Sequence, residues 1–326
     1  MKQLPKRLAT FIFLLIWFGV FGLMFVNQQR LIDWYKLRGY TPSPEVAALV
    51  TSDAMTAYGQ HLLYVNRPII TAGSDFGDAC PQGAEKTVVL GCYKGGDEGI
   101  WLYKVSDPRL KGVVEVTAAH EMLHAAYARL SGDDKKSIDA QLSDYYARGL
   151  TDQRVKETIA AYKKTEPTEL LNEMHSIFAT EIVSLPNGLE TYYKQYFTDR
   201  AKVAAYTMRY QSEFTSRQQQ VAAFDTQLKD LKQAIEANQA SLQSQRSSLN
   251  DLQEQMEALK VQGDTAGYNS RVAPYNQAVN KYNALLAETR NQINTYNEVV
   301  EKRNTVALEE RQLTQALSAQ SLPSEQ

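Results

Sequence analysis

After Arg200, glycine and proline almost vanish and an apolar seven-residue rhythm takes over the chain. Val221, Phe224, Leu228, Leu231, Ile235, Leu242, Leu249, Leu252, Met256 and Leu259 follow alternating steps of three and four, with Asn238 and Gln245 in the missing places. Such a repeat puts one apolar seam along a helix, and a second helix is the natural cover for it. The rhythm breaks at Val261-Gln-Gly-Asp-Thr-Ala-Gly267, and a second series begins. Tyr268, Tyr275, Tyr282 and Tyr296 share one seam position, and Val272, Val279, Leu286, Ile293 and Val300 share the other. The pattern predicts an antiparallel coiled-coil helical hairpin over residues 201–320, with its turn at about 261–268. The Tyr-Asn pairs of the second arm read as a seam residue with its solvent-facing neighbour, and Asn238 and Gln245 as register-setting residues. The hairpin is a candidate for self-association or for a coiled-coil partner.

The other end of the chain is opposite in character. Residues 8–26 are almost entirely apolar and uncharged, and as a helix they would extend roughly 28 Å, enough to cross a hydrocarbon core. No small-residue cleavage site follows, so residues 1–30 read as an uncleaved transmembrane signal anchor and the membrane as a partner. Basic residues flank the stretch on both sides (Lys2, Lys6 and Arg7; Arg30, Lys36 and Arg38), so charge does not orient it. Cys80 and Cys92 are the only two cysteines, in a segment dense with turn residues, and they read as a disulfide. An oxidising compartment follows, and with it a single-pass protein of the cell membrane in which everything after the span is extracytoplasmic. A net charge of −2 gives no electrostatic case for nucleic acid.

Residues 40–200 read as an α+β domain. Pro44 and Glu45 open a short helix, while residues 61–68, 86–93 and 99–105 read as strands bounded by proline and glycine. Asp107-Pro108 marks a turn, and a helix follows from about Val114. That helix carries His120-Glu121-Met122-Leu123-His124, which holds two of the four histidines in the chain. Residues four apart share a helix face, so both imidazoles can reach one ion, and neutral imidazole suits Zn2+. Glu121, beside the first histidine, can reach a water on that ion as general base. Alanines 118, 119, 125 and 126 make the helix small enough to pack tightly, where unpartnered histidines would be costly.

A third ligand must come from elsewhere. Residues 165–186, with Thr165 as N-cap, Pro167 in the first turn and Pro186-Asn187-Gly188 as terminator, offer Glu173, His175 and Glu181. Leu170, Met174, Ile177 and Phe178 form the apolar stripe of this helix. Glu181 falls near its centre, as an alternative ligand or a partner that orients a ligating histidine. The His-Glu-x-x-His run, together with Asn172-Glu173-Met-His-Ser176-Ile177-Phe178-Ala179-Thr180, resembles the zincin metallopeptidases, in particular the gluzincins. Two departures set it apart from thermolysin-like members: no aspartate follows Ser176, and His124 and Glu173 are further apart in sequence. The resemblance implies a zinc-dependent peptidase with His120, His124 and Glu173 on the metal and Glu121 as base. It also implies a peptide or protein substrate laid along the strand at residues 99–105. Tyr145, Tyr146, Tyr192, Tyr193 and Tyr196 are oxyanion-donor candidates by residue type alone. The competing expectation is a catalytically silent zincin domain in a membrane-anchored scaffold or adaptor.

Overall fold

The computed structural model describes residues 13–14, 17–19, 21–22, 27–81, 89–96 and 98–318. The chain divides into two compact units: residues up to Gln211 together with those from Gln315 onward, and Ser212–Thr314.

In the first unit, helices α1 (Gln28–Leu37), α2 (Pro44–Ser52) and α3 (Ala57–Val65) precede strand β1 (Ile69–Thr71). Helix α4 (Gly73–Ala79) and strands β2 (Gly91–Lys94) and β3 (Gly99–Tyr103) follow. Beyond them come helices α5 (Val113–Tyr127), α6 (Gly132–Asp144), α7 (Gln153–Thr165), α8 (Leu170–Glu181) and α9 (Asn187–Tyr193). Local chemistry explains most boundaries. Ser43 and Thr56 cap α2 and α3 by accepting from Val46 N and Gly59 N, and Asp107 accepts from Arg109 N in the turn before α5.

The sheet is small and mixed. β3 is central, parallel to β1 and antiparallel to β2, with Cys92 opposite Trp101 and Tyr93 opposite Ile100. This overturns the placement of a substrate on residues 99–105, because β3 already has a neighbour on both sides. The run His61-Leu62-Leu63-Tyr64-Val65, expected as a strand, is the second half of α3 and buries Leu62, Leu63 and Val65. Residues 82–88, which include the start of another expected strand, lie outside the described residues.

The structure therefore corrects the expected α+β domain behind a transmembrane helix. Helices supply most of the core, and the strands are only three to five residues long. Among the described residues no helix is long and apolar enough to cross a membrane. Most of residues 8–26 lie outside the described residues. The expected single-pass location at the cell membrane is overturned by the same finding.

Helix α5 is the centre of the unit. It packs on α8, β2, β3 and α3, and Ala118, Ala119, Ala125 and Ala126 are buried, so small side chains let the neighbouring backbones close in. The end of α5 is tied down by Arg129, whose guanidinium donates twice to Asp33 of α1, at 2.8 and 3.0 Å. His61 of α3 meets the same carboxylate at 2.9 Å.

Helix α10 (Arg200–Val261) begins inside this unit. Arg200 is buried and donates to the carbonyls of Ala179, Ile182 and Val183 and to the Glu190 carboxylate. It thereby satisfies the carbonyls at the end of α8, which no further helical turn would satisfy. Val203, Ala204 and Thr207 are buried behind it, and Thr207 Oγ1 donates to Thr180 O at 2.9 Å. Arg200→Ala would leave those carbonyls and Glu190 without their donor, and is expected to cost about 3 kcal/mol. Denaturant melts check this; a loss under about 1 kcal/mol would mean that water replaces the guanidinium.

In the second unit, the remainder of α10 and helix α11 (Thr265–Leu317) form an antiparallel pair. Arg217 meets Glu309, Asp225 meets Arg303, and Asn238 donates to Gln292, so partner numbers fall as the first arm advances. Asn238 thus has a partner across the seam. Tyr268, Tyr275, Tyr282 and Tyr296 are half-buried while Asn269, Asn276, Asn283 and Asn297 are exposed. Gly263, with φ of +76°, makes the turn.

Candidate metal centre

One turn of α5 sets His120 and His124 side by side, with ring centroids 4.7 Å apart. Helix α8 crosses this face and presents Glu173. Its Oε1 lies 3.4 Å from His124 Nε2, and its Oε2 lies 3.6 Å from His120 Nε2. Both separations are too long for good hydrogen bonds. They suit a shared ion: two atoms bound at about 2.0–2.1 Å with a tetrahedral angle stand roughly 3.3–3.4 Å apart. Among the described residues Glu173 Oε2 is buried with no hydrogen-bond partner, a costly state for a carboxylate oxygen unless a cation faces it. His120, His124 and Glu173 are a group that could hold a metal ion.

The surroundings prepare each ligand. Asn172 Nδ2 donates to Glu169 Oε2 at 3.2 Å, which turns Asn172 Oδ1 toward His124 Nδ1 at 2.9 Å. A carboxylate only accepts and an amide oxygen only accepts, so His124 carries its proton on Nδ1 and keeps the Nε2 lone pair for an ion. Ser176 Oγ stands 3.4 Å from the same Nδ1. Burial pushes the Glu173 carboxyl up, but His120, His124 and the Tyr162 hydroxyl outweigh it, and the group sits below its usual value, ionised. Asn172→Ala removes the acceptor that orients His124 and is expected to weaken metal binding about 10- to 100-fold. Competition with a chromophoric chelator reads this; an unchanged affinity would mean that the Asn172 contact does not orient the ligand.

Glu121 is buried beside the cluster, and burial pushes its carboxyl up to about 7, with His124 pulling down, Glu173 pushing up and the Tyr93 backbone amide pulling down. A value near neutrality suits a group that must take and return a proton. Gly91 of β2 makes the close approach possible. A Cβ there would stand 2.5 Å from Thr117 Cγ2 and 2.9 Å from both Cγ and Oε1 of Glu121. Glycine inside a strand is the available sequence signal for such an approach. These residues line a cleft of about 710 Å³ between β2, α5, α7 and α8.

The alternatives for the third ligand have other partners. Glu181 lines the cleft but pairs with Arg154 at 2.5 Å. His175 is fully buried, and its Nε2 meets the Tyr192 hydroxyl at 2.9 Å amid Tyr127, Tyr193 and Tyr196. Burial, then His124 and His120, hold His175 down at about 3, so it stays neutral. Tyr192, Tyr193 and Tyr196 therefore serve the core around His175, and Tyr145 packs edge-on against Phe178. None of the five tyrosines singled out by residue type lines the cleft; Tyr93, Tyr162 and Tyr210 do. Tyr162 reaches Glu173 from α7, a placement that only the tertiary packing reveals.

Cys80 and Cys92 stand at disulfide distance, with Cα atoms 5.9 Å apart. No protein-family model, curated protein or solved structure matches this chain.

Proposed function

We propose that the chain is a zinc-dependent metallopeptidase of gluzincin-like type, with Cys80 and Cys92 joined as a disulfide. The observation that carries this reading is the meeting of Glu173 with His120 and His124 at ligand spacing, beside a buried Glu121. Asn172 and Ser176, which belong to the run that resembles gluzincins, both face His124 Nδ1 and so give that resemblance a physical role. Three nitrogen and oxygen donors that line a cleft would suit catalytic zinc better than a closed structural site would.

When bound, zinc supplies Lewis acidity toward a carbonyl and lowers the pKa of a water. Glu121 takes a proton from water at its carboxylate and delivers it to the leaving amine. The Tyr93 amide holds that carboxylate, and the absence of a side chain at Gly91 leaves it the room it occupies. Among the described residues β2 is the end strand of the sheet beside the cleft, so an extended substrate would add to β2 rather than β3. A purely structural metal site would have no need of a buried base, which favours catalysis over a silent scaffold.

The reading is tested by incubating zinc-loaded protein with an unfolded protein substrate. Cleavage that stops on chelation and returns with zinc is expected. Zinc binding without cleavage of any peptide would leave the silent-scaffold alternative standing.

A further inference from the structure

We propose that the Cys80–Cys92 bridge is a positioning device for Glu121, acting through β2 and independently of the metal ligands; this rests on the metallopeptidase reading above. Cys92 lies on β2 between the two residues that hold Glu121. On one side, a Cβ at Gly91 would stand 2.9 Å from both Cγ and Oε1 of Glu121, so the strand leaves that side chain its space; on the other, the Tyr93 amide donates to its carboxylate. β2 is four residues long and, among the described residues, pairs with β3 along one edge only. So short an end strand is weakly held by its ladder alone. The bridge adds a covalent tie on this strand, at the residue between the two contacts.

The other end of the tie is fixed. Cys80 closes α4 and is buried, and Phe76 of the same helix is buried with its ring 5.3 Å from that of Tyr103. Tyr103 belongs to β3 and its amide donates to Leu90 O, just before β2. The bridge therefore anchors the strand to a packed part of the core. The metal ligands stand on α5 and α8, which pack directly on one another. Breaking the bridge should release the base's support and leave the zinc site assembled.

The test reduces zinc-loaded, folded protein with a water-soluble phosphine. The S–S bond takes two electrons from phosphorus and two protons from one water, giving two thiols and the phosphine oxide. Zinc content, hydrogen exchange at the Tyr93 amide and peptide kcat are then measured. Zinc is expected to stay, the Tyr93 amide to exchange about 10-fold faster or more, and kcat to fall about 10- to 100-fold, as for a misplaced catalytic group. Reoxidation should restore all three values, and the Cys80→Ser, Cys92→Ser double variant should behave like reduced protein without reductant. Unchanged exchange at Tyr93 after complete reduction would overturn the proposal, and so would loss of zinc, which would place the bridge's effect on the ligand helices. If the oxidised protein cleaves no peptide, the peptidase reading fails while the Tyr93 exchange still decides the positioning role.

Discussion

Glu121→Gln protein is expected to bind zinc as tightly as the wild type and to hydrolyse peptide about 10²–10⁴ times more slowly. The amide keeps the shape of the carboxylate and can still meet Gly91 and the Tyr93 backbone, so the cleft stays intact. What is lost is the ability to accept a proton. The pH profile carries a second signature. Without an ion, burial holds the Glu121 carboxyl at about 7, and a dication nearby favours the ionised form and pulls that value down. Wild-type activity should therefore rise through an acid limb below pH 7 as Glu121 ionises, and the residual activity of Glu121→Gln should lack that limb. Full activity in the variant would remove Glu121 from the chemistry.

The second large effect concerns the ligands. His120→Ala, His124→Ala and Glu173→Ala should each weaken zinc binding by at least about 100-fold, since each removes one of only three protein donors. Glu181→Ala should keep its zinc. That carboxylate is satisfied by Arg154, and its loss should be felt in α7–α8 packing rather than at the ion. Tight zinc in Glu173→Ala with an empty site in Glu181→Ala would reverse the assignment. Far-UV spectra and melts of the same proteins separate lost ligands from lost fold.

The parts of this molecule that were legible in the sequence are those governed by short-range periodicity. The four-residue spacing of His120 and His124 places both rings on one face of α5, and the heptads place Tyr268 to Tyr296 on the seam of the hairpin. Glu173 and Glu181 both stood on the right helix, and only the packing of α8 on α5 separates them: Glu173 faces the histidines, whereas Glu181 faces Arg154. Within the strand expected at residues 61–68, residues 61–65 are helical instead, because so short an apolar run has no period of its own, and the cap at Thr56 is the sequence signal that marks the helix. The role of Arg200 was out of reach, because its partners Ala179, Ile182 and Val183 are backbone carbonyls that no side-chain pattern encodes. Tyr162 and Asn172 act on the centre only through tertiary contacts, as surrounding residues usually do.

X-ray absorption at the zinc edge of the purified, zinc-loaded protein tests the central claim most directly. Two imidazole shells and a carboxylate oxygen at about 2.0–2.1 Å are expected, with one further light-atom ligand from solvent and no sulfur. In Glu173→Ala the imidazole signal should weaken or vanish with the metal. A sulfur shell near 2.3 Å, or an all-oxygen octahedral site without imidazole, would contradict a zinc centre built from His120, His124 and Glu173.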